Sequence, residues 1–141
     1  AAQPVGFVFE HQCQRRGLAT DTGMVTPSMR RLLKNVSALI LEANHDHPLL
    51  MGGPYPRFLK QRVASERGHL SNAQAAAALS ELIGGETRAV LLARLSATNN
   101  TPELARSAAV AALSSRLEDG GLYLDIAPRY TPHGLIDLDT L

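Results

Sequence analysis

Three short apolar runs, at 37–41, 88–93 and 122–126, constrain this chain more than any other feature, because a helix-forming stretch stands before each of them. Each run has the length of a buried strand, and strands alternating with helices must be layered so that the helices cover the sheet. Upstream, the stretches 5–10 and 16–20 read as two further strands joined by the polar turn Glu10-His11-Gln12-Cys13-Gln14-Arg15-Arg16. A hairpin of that kind pairs antiparallel, and the two final strands, 122–126 and a last apolar stretch at 135–138, are expected to add further antiparallel pairing. The expectation is an α/β, layered α+β chain with a mixed sheet. Its 141 residues suit one modest domain, 1–141.

The helix starts are written locally. Thr26-Pro27 and Thr101-Pro102 each place a capping hydroxyl before a proline suited to the first helical turn. The first helix is expected to run to about Lys34 and the other to about Glu118, where Asp119-Gly120-Gly121 stops it. A third helix starts at Pro56, after the breakers of Gly52-Gly53-Pro54, and runs to about Ser65. Ser71 followed by Gln74 resembles a capping box, and the Ala-rich helix behind it ends at Gly84-Gly85.

Bulk properties exclude little. The formal net charge of +1 gives no large basic field, although a local patch can still hold phosphate. Arg57, Lys60, Arg62 and Arg67 fit such a patch for a nucleic-acid backbone and fit a solvated helix face equally well. Cys13 is the single cysteine, so no internal disulfide forms and a cytoplasmic setting is expected. No apolar run approaches the ~18 residues of a membrane span, so no membrane partner is expected. The N-terminus lacks signal-peptide architecture and enters a strand almost at once, which reads as a fragment.

Polar residues stand where the apolar strands end: Asp21, Glu42 and Arg94, with His69 in the loop before a helix. Ligands gather outside strand ends in layered α/β folds, so these loops are expected to converge on a cleft. Taken by itself, Asp21 also fits a turn aspartate before Gly23, His69 a loop histidine bonded to backbone, and Glu42 a solvated strand end. His45, Asp46 and His47 do not make a metal cluster, since neighbouring residues of an extended segment point in alternate directions. His45 and Asp46 are candidates to line the cleft, and His47 is expected to be exposed. His11 and His133 are expected to be solvated in turns. Asn99, Asn100 and Thr101 fit either a phosphate cradle at a helix start or simple capping.

In this order and spacing, Thr20-Asp21-Thr22-Gly23, Leu39-Ile40-Leu41-Glu42-Ala43-Asn44-His45-Asp46, Gly53-Pro54-Tyr55-Pro56, Gly68-His69-Leu70-Ser71-Asn72, Leu95-Ser96 and Asn99-Asn100-Thr101-Pro102-Glu103-Leu104 resemble the YycJ-type metallo-β-lactamase-fold hydrolases. The similarity covers nearly the whole chain, from Pro4 to about Leu138. It implies the C-terminal half of an αββα sandwich, a mixed sheet with helices on one face, and a metal site between two halves. It implies a zinc- or manganese-dependent, two-metal phosphodiesterase acting on DNA or RNA. Asp21 matches the metal-bridging aspartate. Glu42 and His69 match a pair that, in the related tRNA 3′-end-processing nucleases, is linked to proton transfer at the leaving oxygen. The catalytic expectation is therefore Glu42 and His69, the metal expectation is Asp21, and the substrate-binding expectation is His45, Asp46, Ser71, Asn99 and Asn100.

Two departures qualify that implication. The H-x-H-x-D-H motif that supplies most ligands does not occur, so an N-terminal half is expected to be missing from the sequence. Arg94 stands where the family pattern carries a histidine ligand, and a protonated guanidinium has no lone pair for zinc. Arg94 is expected to pair with a carboxylate such as Asp21, or to take the vacant cation position or a phosphate. Tight metal binding by this chain alone is not expected. A degenerate, non-catalytic half-domain that dimerises or pairs with another chain is the alternative.

Overall fold

A computed structural model of the chain describes residues 3–141. The elements follow one another as β1 (Gly6–His11), β2 (Gln14–Ala19), α1 (Pro27–Leu33), β3 (Ala38–Glu42), α2 (His47–Gly52), α3 (Arg57–Ala64), α4 (Asn72–Leu82), β4 (Ala89–Ala93), α5 (Pro102–Glu118) and β5 (Tyr123–Ile126). The strands form one five-stranded sheet in simple sequence order. β1 and β2 pair antiparallel around a turn in which Gln12 and Cys13 both have positive φ, the twist a tight hairpin needs. β2, β3, β4 and β5 are parallel neighbours, so the run at 122–126 does not add the antiparallel pairing expected of it, because α5 crosses over between β4 and β5.

That topology decides where the helices lie. Parallel neighbours in sequence order need crossovers, crossovers are right-handed, and repeating them in one direction puts every helix on the same face of the sheet. The core sits between that face and the helices. Ala19, Leu39, Leu41, Val90 and Leu92 from the strands meet Leu33, Leu79, Leu82, Ala105, Ala109 and Leu113 from the helices, all buried. Ala75, Ala78, Ala105 and Ala109 keep α4 and α5 close to each other and to the sheet.

Among the described residues, the opposite sheet face carries no helix. Phe7 and Phe9 stack on it, more than half exposed, at a ring distance of 6.2 Å. Beside them Leu18, Ala38, Ile40 and Leu91 line an apolar trough closed by the C-terminal residues Leu135 to Asp139. These residues are not the strand expected at 135–138. Pro128, Pro132 and Gly134 interrupt the chain before it, and Leu138 is buried against the sheet face instead of pairing at an edge.

The cap-and-proline starts behave as local chemistry dictates. Thr26 accepts from the Met29 backbone, Thr101 from Leu104, and Ser71 with Gln74 forms the reciprocal capping box. The sequence reading assigns no element to 47–52, yet Asp46 followed by Pro48 is the same signal and Asp46 caps α2 by accepting from Leu49. His133 is not solvated as expected: its Nε2 lies 3.1 Å from Asp125 Oδ2, which tethers the C-terminal segment to β5. Among the described residues no helix is long and apolar enough to cross a membrane.

Candidate functional site: a carboxylate–histidine–arginine rim

Parallel pairing aligns the C-terminal ends of β2, β3 and β4, because Ala19 is level with Leu41 and Glu42 with Ala93. Chain exit from these strands therefore delivers Asp21, Glu42 and Arg94 to one rim. The loop from α3 to α4 brings His69 to the same place. Its backbone N–H donates to Val63 O at 2.9 Å, and the preceding Gly68 N–H donates to Ser65 O at 2.9 Å.

Glu42 is fully buried, and its charge is met on every side. Oε1 lies 2.7 Å from His69 Nδ1, while Oε2 accepts from the backbone N–H of Thr22 at 3.2 Å and of Leu70 at 3.3 Å. A buried carboxylate is tolerable only when held like this. The hydrogen bond from Glu42 is the main reason the imidazole of His69 is more basic than usual, helped by the nearby charge of Asp21 and opposed by burial and by Arg94. With Nδ1 turned to Glu42, Nε2 is the atom left for a ligand. His69 Nδ1 is also 3.9 Å from Asp21 Oδ1, and Arg94 Nη2 donates to that same Oδ1 at 3.0 Å. Asp21 and Arg94 both have positive φ, 56° and 62°, which is costly for side-chain-bearing residues and concentrates at functional sites.

His69 and Arg94 border a cleft of about 820 Å³ with Asn44, Tyr55, Ser96, Asn99, Asn100 and Arg129. Of the five expected substrate contacts, Asn99 and Asn100 line it. Asn99 is almost wholly buried and its Oδ1 has no partner among the described residues. Asn100 donates to Ala43 O and exchanges hydrogen bonds with Asn72, fixing the start of α5 against the start of α4. His45, Asp46 and Ser71 stand behind the rim. His45 is buried and bridges to Ser71, whose hydroxyl is occupied by its capping box, and Asp46 is occupied by the cap of α2. His47 is exposed, as expected. The sequence reading missed Asn44, whose Nδ2 donates to Arg94 O at 2.9 Å and clamps the left-handed turn there. Asparagine two residues past a buried strand is the only local signal for that role.

Burial pushes the pKa of His45 down to about 4, aided by His47 and His69. His69 at the rim and His45 behind it thus carry opposite pH dependences. The raised pKa of His69 stabilises the fold fully below about 6.5, its ordinary value, and that contribution is lost as pH rises through the folded value. The depressed pKa of His45 gives stability that is present above about 6.5 and is lost as pH falls towards 4. An NMR titration of the imidazole protons should separate one histidine titrating near 4 from one titrating above its ordinary value. Coincident titrations near the ordinary value would contradict the geometry.

Asp21, Glu42 and His69 each offer a ligand atom within 4.8 Å of the others, a grouping that can hold a cation. The donors are largely spent, however. Both Glu42 oxygens and His69 Nδ1 are engaged, and Asp21 already faces a guanidinium. Asp21 and His69 Nε2 remain, short of the three or four protein ligands of a stable zinc centre. The residues present do not by themselves fit a tight metal site.

The mixed sheet and its helices agree with the family that the sequence matches. Residues 1–92 match the beta-lactamase superfamily domain. The chain belongs to the beta-lactamase superfamily. As a member of it, the chain is similar to an exodeoxyribonuclease YycJ of Bacillus anthracis, 39% identical over 121 residues, covering 86% of this chain and 44% of that protein. It is also similar to an exodeoxyribonuclease WalJ of Streptococcus pneumoniae, 43% identical over 88 residues, covering 62% of this chain and 33% of that protein. The superfamily chain therefore spans less than half the length of these curated relatives.

Proposed function

We propose that this chain forms one wall of the active cleft of a nuclease-type, metal-dependent phosphodiester hydrolase, in which His69 gives a proton to the leaving oxygen and Glu42 orients and charges the ring. The observation that carries the reading is the 2.7 Å contact between buried Glu42 and His69, at a rim shared with Asp21. A buried carboxylate on Nδ1 favours the protonated imidazole and leaves Nε2–H as the acid. The names of the relatives favour DNA over RNA as the substrate. Because the donors at the rim are spent, the reading assigns the remaining ligands for zinc or manganese to polypeptide other than this chain, such as an N-terminal half. Asp21 is the residue of this chain that would reach the metal, through Oδ2, the oxygen that the Arg94 guanidinium does not hold.

The test is an end-labelled DNA assay with added Mn²⁺ or Zn²⁺. The 141-residue chain alone should be slow or inactive. In the assembly that supplies the missing ligands, His69→Ala should slow cleavage ~10²- to 10⁴-fold, the range of a lost general acid. Unchanged cleavage by that variant would remove His69 from the chemistry.

The helix-free sheet face favours a second reading, a non-catalytic half-domain that pairs through it. Phe7 and Phe9 are 52% and 58% exposed there, more than an isolated soluble face usually leaves uncovered. Light scattering that finds a monomer at high concentration would eliminate self-pairing.

A further inference from the structure

We propose that Arg94 is a resident cation of this site. Its guanidinium holds the position beside Asp21 that a metal ion would otherwise take, and its uncommitted N–H groups grip a phosphate oxygen in the cleft without a divalent ion. The phosphate half of this inference rests on the hydrolase reading above; the resident cation does not.

The ion pair is built rather than incidental. Arg94 and Asp21 meet at 3.0 Å from the ends of two strands that β3 separates, and each adopts a backbone conformation that a side chain disfavours. Asn44 holds the turn at Arg94 on both sides: its side chain binds Arg94 O, and its carbonyl accepts from Ser96 N–H at 2.7 Å. Ordinary surface pairs on flexible side chains are not supported in this way.

The chemistry of the guanidinium explains what it would do. It carries five N–H donors in a planar fork and no acceptor. Asp21 takes one donor, and no other partner for the Arg94 side chain is found among the described residues. The side chain is 61% exposed and borders the cleft. The other two arginines of the cleft are more committed: Arg106 binds Asp125 and Leu124 O, and Arg129 binds Leu95 O and lies over the Tyr130 ring. Arg94 is therefore the cleft arginine with donors to spare, in a cleft that His69 and Asn99 also line. A planar fork matches two phosphate oxygens, which a point charge does not. A divalent ion at Asp21 Oδ1 would sit against a permanent positive charge, so metal and guanidinium compete for the same carboxylate.

The test uses the 141-residue chain, freed of metal by EDTA, and inorganic phosphate followed by ³¹P NMR line broadening. Wild type should bind phosphate in EDTA. Arg94→Ala should weaken that binding about tenfold or more, and Arg94→Lys should restore part of it. Arg94→His should raise retained zinc severalfold over wild type, measured by elemental analysis. Equal phosphate binding by wild type and Arg94→Ala, at matching melting temperatures, overturns the proposal. So does wild-type protein that retains close to one zinc per chain. A 5′-phosphorylated single-stranded oligonucleotide separates the two readings: if it binds no better than phosphate while the Arg94 effects hold, the resident cation stands and the nuclease substrate falls.

Discussion

Glu42→Ala is expected to cost about 3–5 kcal/mol of folding stability, the range for removing one partner from a buried charged pair. Among the described residues the carboxylate is the only acceptor for three donors at the rim: the imidazole of His69 and the backbone N–H groups of Thr22 and Leu70. Alanine would leave two N–H groups buried and unpaired and would deprive His69 of its main source of extra basicity. The fold would lose stability at its functional edge, where β2, β3 and the start of α4 are stitched together. Glu42→Gln is the sharper control. Its carbonyl still accepts from backbone while its amide cannot charge the ring, so a smaller loss of about 1–3 kcal/mol is expected, with the His69 pKa falling towards its ordinary value. Denaturant unfolding at constant m-value reads the first effect and an imidazole titration the second. A Glu42→Ala midpoint within about 1 kcal/mol of wild type would mean that solvent reaches this carboxylate.

The contrast between Glu42 and the helix caps shows what sequence could and could not carry. Thr26, Ser71 and Thr101 act on backbone three residues away, so a cap with a proline one or two residues after it, or with the Gln74 of a capping box, suffices to place a helix start. Asp46 and Pro48 carry the same signal, and only the absence of a longer periodic run hid α2. The layering was legible for a similar reason, since apolar runs alternating with helices must be covered by those helices, but the strand order was not. Glu42 and His69 are 27 residues apart, and nothing local tells a buried carboxylate at a strand end from a solvated one. There the family resemblance supplied the pairing and the residues alone did not. The Asn72–Asn100 exchange and the clamp by Asn44 are tertiary, each joining loops that meet only because parallel strands end level. The segment after β5 misled for the opposite reason: its apolar alternation is real, but the surface it satisfies is the sheet face and not a strand edge.

Gly68→Ala is expected to be nearly as damaging as loss of Glu42, and for a reason that involves no hydrogen-bonding side chain. A Cβ at Gly68 would lie 2.2 Å from both Arg62 O and Val63 O, at the end of α3. Those are backbone atoms, so no side chain can rotate away, and the loop itself must peel off the helix. The φ of Gly68 is one that any residue adopts, so the requirement is for space and not for conformational freedom. Peeling breaks Gly68 N–H to Ser65 O and His69 N–H to Val63 O, and it withdraws the imidazole from Glu42. A loss of about 3 kcal/mol is expected, together with a fall of the His69 pKa towards its ordinary value. Gly85→Ala is the control, because a Cβ there meets nothing within 4 Å, and its effect should stay within about 0.5 kcal/mol. If Gly68→Ala matched that control, the loop would have room that the geometry denies it, and His69 would owe its position to Glu42 alone.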